Sequence, residues 1–185
     1  MLKFRLILLR VVLIGAVFVS ALSLNRFVFS KSSETGRFES SHLIGPAPIV
    51  VTTMMVGQAR DVFQKVNYQR KTKRLKPLVW DEDLAKMAAA YSKQMAEDDF
   101  FSHYDNKGKT IAERAEDFKI GKWKKLGENL FKSEGYVDPV DIAVDGWLKS
   151  KPHKKNIFDP GWTHTGIGVY SKGEKTFITQ EFVKK

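Results

Sequence analysis

Cysteine is absent from the 185 residues of this sequence, which excludes both a disulfide scaffold and a lipid-attached N-terminal cysteine. Histidine is scarce, at four residues, so any imidazole chemistry has few candidates. No acid occurs in the first 25 residues. The apolar run inside them, Val11 to Leu24, is fourteen residues long, short of the roughly 20 that a membrane span needs. There is no phosphate-binding loop and no dinucleotide fingerprint, so no nucleotide cofactor is expected. Most of the lysines spread from Lys65 to Lys185 without an aromatic-interleaved basic stripe, so nucleic acid is not an expected partner.

What is present begins with a basic start, Lys3, Arg5 and Arg10, ahead of the apolar run. Residues 1–25 read as a secretory signal or an N-terminal membrane anchor. Small residues in "ALS" suit cleavage after Ser23, whereas Leu6 to Leu9 lengthen the run if Arg10 snorkels to the interface. Either way the protein is expected outside the cytoplasm, extracellular or in the cell envelope, with membrane contact through this segment if it stays attached. Export without disulfides suits a bacterial envelope. Residues 26–56 are rich in serine, with "GPAP" at 45–48, and read as a linker. Within it "IVVTTMMV" at 49–56 is the exception, able to dock as a strand or lead into the first helix. Residues 57–185 form the expected folded domain, long enough to bury about two thirds of its unfolded surface. The net charge of +10 falls by three without residues 1–25 and stays basic, a solvated surface compatible with an anionic envelope.

Inside the domain, Val62, Phe63 and Val66 share one helical face between Gln58 and Lys73, and Pro77 breaks the pattern. Asp81 is a good N-cap for a helix carrying Leu84, Ala88, Tyr91 and Met95 on one stripe, ending near Asp98 or Asp99. "FFSHYDNKGK" is a loop with Asp105, Asn106 and Gly108 as turn residues. "TIAE" at 110–113 is a capping box. "WKKLGENLF" is irregular or extended. Asp138 is expected to cap the next helix, with Pro139 at its first position and Val140, Val144 and Trp147 as its buried stripe. Ser150 and Pro152 end that helix or restart a turn. "TGIGVYS" and "KTFITQEFV" alternate around "KGE" as a β-hairpin. Helices early and paired strands late give an α+β domain.

The four histidines and Glu128 are the candidates for chemistry, each with an ordinary alternative. His42 lies in the linker and His164 just before a strand, which leaves His103 and His153 on loops beside helices. Lys149, Lys151, Lys154 and Lys155 surround His153 in sequence and favour a neutral imidazole, able to bind a metal or accept a proton. It equally suits a turn residue. Glu128, in "GEN", is either a carboxylate placed for a site or a surface glutamate beside a turn glycine.

Taken together, "VNYQRKTKRLKPLVWDEDLAKMA", "FSH", "GEN", "WLKSKPHKKNI" and "TGIGVY" with "ITQEF" resemble the CAP superfamily (cysteine-rich secretory protein, antigen 5 and pathogenesis-related 1), in its cysteine-free bacterial SCP-like branch. The resemblance implies a three-layer α–β–α sandwich, a small antiparallel sheet covered by helices on both faces. It also implies a cleft lined by two histidines and two acids that in some members holds a divalent cation. On matching positions the metal-binding residues are His103, Glu128 and His153. Many eukaryotic members carry a second glutamate where this chain has Ser150, so at most two imidazoles and one carboxylate remain for zinc or another divalent cation.

Three functions stay open. The first is an exported binding domain whose cleft takes a cation, a lipid, another small molecule or a cell-envelope polymer. The second is a hydrolase of peptidase or esterase type. It would use zinc-bound water on His103, Glu128 and His153, or Ser150 as nucleophile with a histidine base and Glu128 as orienter. Ser150 lacks the strained elbow that marks such a nucleophile. The third is a structural envelope protein held by its anchor or its basic surface.

Overall fold

The computed structural model describes residues 48–136 and 138–185. The expectations for residues 1–25 and for 26–47, His42 included, lie outside the described residues. Among the described residues, no helix is long and apolar enough to cross a membrane.

Five helices and four strands follow in the order α1 (Pro48–Thr72), β1 (Val79–Trp80), α2 (Glu82–Glu97), α3 (Ile111–Asp117), β2 (Lys125–Glu134), α4 (Val140–Lys149), α5 (Lys151–Phe158), β3 (His164–Lys172) and β4 (Lys175–Lys184). The strands form one sheet in the order β1-β3-β4-β2. β3, β4 and β2 are antiparallel neighbours. β1 adds a two-residue parallel edge through Val79 and Trp80.

Helices cover both faces of this sheet, as expected of the sandwich. Because strand side chains alternate, one set of positions faces α2 and α3 and the next faces α1, α4 and α5. On the first face Leu130 and Phe177 pack with Tyr91 and Met95 of α2, and Val183 packs with Leu84, Met87 and Ala115. On the second, Ile167, Val169, Ile178 and Phe182 meet Val62 and Val66 of α1, Val144 and Trp147 of α4, and Ile157 of α5.

The local signals explain most of the elements. The Asp81 side chain accepts from the Asp83 and Leu84 amides and starts α2. Thr110 and Glu113 form the reciprocal capping box of α3. Gly173, at φ +60°, supplies the left-handed turn between β3 and β4. Three open points are resolved. The segment 49–56 is helical, part of an α1 that begins at Pro48. "KLGENLFKSE" is a ten-residue strand, since its whole length pairs with β4. Finally, α4 begins at Val140, whose amide is taken by Asp138 Oδ1 at 3.0 Å, while Pro139 is the N-cap itself.

Two features lock the layers. A Cβ on Gly166 or Gly168 would lie 2.2 Å or 2.0 Å from the backbone nitrogens of Ala85 and Ala89, so α2 rests directly on the β3 backbone. Arg70, fully buried on α1, donates to the carbonyls of Lys76, Ile157 and Asp159. It thereby satisfies the open C-terminal carbonyls of α5.

Candidate functional site

The candidate site is built around β2. In its register with β4, Glu128 stands opposite Glu181, and both project to the α2 and α3 face. Their side chains are 3% and 0% exposed. The next residue, Asn129, points to the other face, where its amide donates to the His153 carbonyl at 3.3 Å. Asn156 of α5 donates to the Glu128 carbonyl and to Asn129 Oδ1, each at 3.0 Å. One strand thus gathers groups from helices on both faces.

His103 follows α2 in the loop 98–110. Its Nδ1–H donates to Glu128 Oε1 at 2.7 Å, although 55% of its side chain is exposed. An ionised carboxylate can only accept, so Nδ1 is the ring nitrogen that donates here, and the tautomer with that single proton has Nε2 as an acceptor. His103 and Glu128 line a cavity of about 280 Å³ together with Tyr104, Thr110 and Ile111. The other Glu128 oxygen receives Arg114 Nη2 from α3. Arg114 also reaches within 3.9 Å of Glu181 Oε1 and stacks on Tyr91, 3.6 Å from the ring centroid.

The electrostatics follow from this geometry. Burial, and then the neighbouring Glu128, push the Glu181 carboxyl well above the usual range. Its two oxygens have no hydrogen-bond partner, and neither does Arg114 Nε. Burial, reinforced by His103, lowers the His153 pKa. The imidazole is neutral, as its sequence surroundings suggested, but the causes are the protein interior and the other histidine rather than the lysines.

Among the sequence candidates, His103 and Glu128 are in direct contact, and His153 is near enough for His103 to bias its protonation. Ser150 is both the C-cap of α4 and the N-cap of α5, with no side-chain capping bond. It makes no hydrogen bond to His103, His153 or Glu128 among the described residues. His164 is half-buried and pairs with Thr163 Oγ1 at 2.9 Å. Two members escaped the sequence reading. Glu181 sat unremarked inside "ITQEF", where a charge amid a buried strand was the available signal. Arg114 had only its place one turn into a capped helix to mark it.

The donor set does not fit a resident divalent cation. Among the described residues, no group of three or more His, Asp or Glu is arranged to hold one. Both Glu128 oxygens are already engaged, and burial disfavours a charge on Glu181.

Farther along the sheet, a second hollow of about 410 Å³ opens between α1, α2 and the outer edge of β3. Met55, Ala59, Ala85, Ala89, Ile167 and Val169 give it an apolar lining, with Lys86 and Lys93 also at its wall.

Comparison with known proteins gives this geometry a context. Residues 63–182 match the model of the cysteine-rich secretory protein family, CAP. The Bacillus subtilis membrane protein YlbC is 32% identical over 126 residues, covering 68% of this chain and 34% of that protein. The crystal structure of an extracellular, SCP-domain protein from Bacillus anthracis superposes with a TM-score of 0.68 at 31% identity, covering 76% of this chain and 45% of the other. This chain therefore spans less than half the length of either. NaASP2, solved with Zn2+, matches at a TM-score of 0.50 and 15% identity, over 68% of this chain and 78% of its own. That last likeness is one of fold alone.

Proposed function

This chain belongs to the CAP, or cysteine-rich secretory protein, family, and from that premise we propose that it is an exported binding module. Its histidine cleft takes a small, neutral ligand bearing hydroxyl or amide groups, of the kind found in cell-envelope polymers. The observation that carries this reading is the 2.7 Å contact of His103 Nδ1 with Glu128. Glu128 holds the Nδ1 side, so Nε2 is an acceptor available to a donor on a ligand. His153 is close enough to sense the charge of His103, and burial lowers its pKa. Tyr104 and Thr110 at the cavity wall supply polar and aromatic contact. The Ser150 form of the hydrolase reading is less well supported, because Ser150 makes no hydrogen bond to the histidines among the described residues.

The test titrates the full chain with an N-acetylglucosamine oligosaccharide, which offers both hydroxyls and amides, and follows the histidine ring nitrogens by NMR. Saturable shifts of His103 and His153, lost in His103→Ala, are expected. Rings that do not respond would overturn the proposal for this ligand class.

A second reading has its own observation. The apolar hollow between α1 and α2 suits an acyl chain, with Lys86 or Lys93 reaching the headgroup. Palmitate retained by the wild type and lost in Ala89→Phe, which fills the hollow, would support it.

A further inference from the structure

We propose that Arg114 is the resident cation of the cleft. Its guanidinium, in place of a metal ion, compensates the facing carboxyls of Glu128 and Glu181 and holds Glu128 in position for His103. This rests on the cleft reading for its location only and does not depend on which ligand enters.

The need for a cation comes from the sheet itself. Glu128 and Glu181 are direct cross-strand neighbours, which places their Cβ atoms about 5 Å apart on one face. Both side chains are buried. Two carboxyls so placed require a compensating positive charge or a retained proton. A divalent ion could supply the charge. Here a side chain from α3 already does.

Arg114 is held on several sides. Its Nη2 donates to Glu128 Oε2 and lies 3.9 Å from Glu181 Oε1. Its Nη1 donates to the carbonyls of His103 at 3.1 Å and Lys109 at 3.3 Å. The face of Tyr91 lies against the guanidinium carbon. The Thr110–Glu113 capping box fixes where α3 starts, and so where Arg114 emerges. Its bond to the His103 carbonyl means that the same guanidinium positions both partners of the His103–Glu128 pair.

This arrangement opposes a metal ion. A guanidinium cannot give up its charge at any ordinary pH. A divalent ion approaching Glu128 would meet that fixed charge in a site too dry to screen it. Lysine would not substitute, because one ammonium cannot span a carboxylate and two carbonyls with the planar fork that arginine presents. Arg114 is thus a positioning residue for His103, and the cleft needs no metal to be assembled.

Zinc chloride is the probe. The full chain and the variants Arg114→Gln and Arg114→Gln/His103→Ala are titrated by calorimetry and melted with zinc and with chelator. In the wild type, neither zinc nor chelator should move the melting temperature, and no saturable heat should appear. Arg114→Gln should melt lower and gain a zinc-dependent rise that the double variant lacks. Saturable zinc binding by the wild type that disappears in His103→Ala would overturn the proposal. So would an Arg114→Gln protein as stable as the wild type and equally indifferent to zinc. Should Arg114→Gln fail to fold, Arg114→Lys is read by the His103 ring nitrogens. Loss of the single Nδ1–H tautomer is expected, and an unchanged tautomer would refute the positioning role. The oligosaccharide titration is independent, so either idea can fail alone.

Discussion

Glu128 and Glu181 face each other across two strands, yet their surroundings give them different work. Glu128 has a guanidinium on one oxygen and an imidazole on the other. The Glu181 oxygens have no hydrogen-bond partner, and burial pushes its carboxyl well above the usual range. Substituting each by glutamine separates the two roles. Glu128→Gln leaves the Arg114 charge buried without its partner, a loss of about 3–5 kcal/mol by the usual cost of breaking a buried ion pair. Glu181→Gln removes a titrating group from this buried position. Because the folded pKa of Glu181 is raised, the unfolded chain releases this proton first, and stability falls as pH rises above the ordinary value of 4.5. Urea unfolding at a series of pH values should therefore find Glu181→Gln no less stable than the wild type at pH 7 and lacking that decline. Asp81 runs the other way. Burial raises its pKa, but Lys185 and the Leu84 and Asp83 amides outweigh it and hold the carboxyl below its usual value. Its contribution is present above the unfolded value of 3.8 and is lost as pH falls through the folded one. Asp81→Ala should remove this acid-side loss together with the cap, at a cost of about 1 kcal/mol.

At the level of elements, the seating of α2 on β3 decides the shape of the sandwich. A methyl group on Gly168 would lie 2.0 Å from the Ala89 backbone nitrogen, and no side-chain rotation relieves a clash with backbone. Gly168→Ala should therefore cost at least about 3 kcal/mol, the upper range for overpacked cores, with a melting temperature lower by roughly 6–12 °C. A circular-dichroism melt checks it. Gly173→Ala, in open space with only an unfavourable φ to overcome, should cost about 1 kcal/mol. The element boundaries that sequence captured were those fixed by local hydrogen bonds, such as the Asp81 cap, the α3 capping box and the glycine turn of the β3–β4 hairpin. The strand β2 was harder to read, because a segment with Gly127, Glu128 and Asn129 at its centre lacks apolar alternation. Its pairing with β4, forty residues or more away in sequence, makes it a strand.

For the whole molecule, charge sets behaviour at a distance. With a net charge of +10, the full chain should associate with anionic envelope material or vesicles containing acidic lipids. Raising salt from about 0.15 M to 1 M shortens the screening length from roughly 8 Å to 3 Å. Co-sedimentation should then fall to background if charge alone holds the protein, while a residue that stays bound points to the cleft or the apolar hollow. What the sequence determined by itself was the α+β layout, the ends of most helices, and His103, Glu128 and His153 as residues worth following. Those features depend on periodicity, caps and motifs carried within a few residues. The tertiary structure alone decided that Glu181 faces Glu128, that Arg114 lies between α3 and both acids, and that Ser150 stays outside their hydrogen bonding. Each of these depends on strand register and on the seating of α3, set by pairing and packing between segments far apart in the chain.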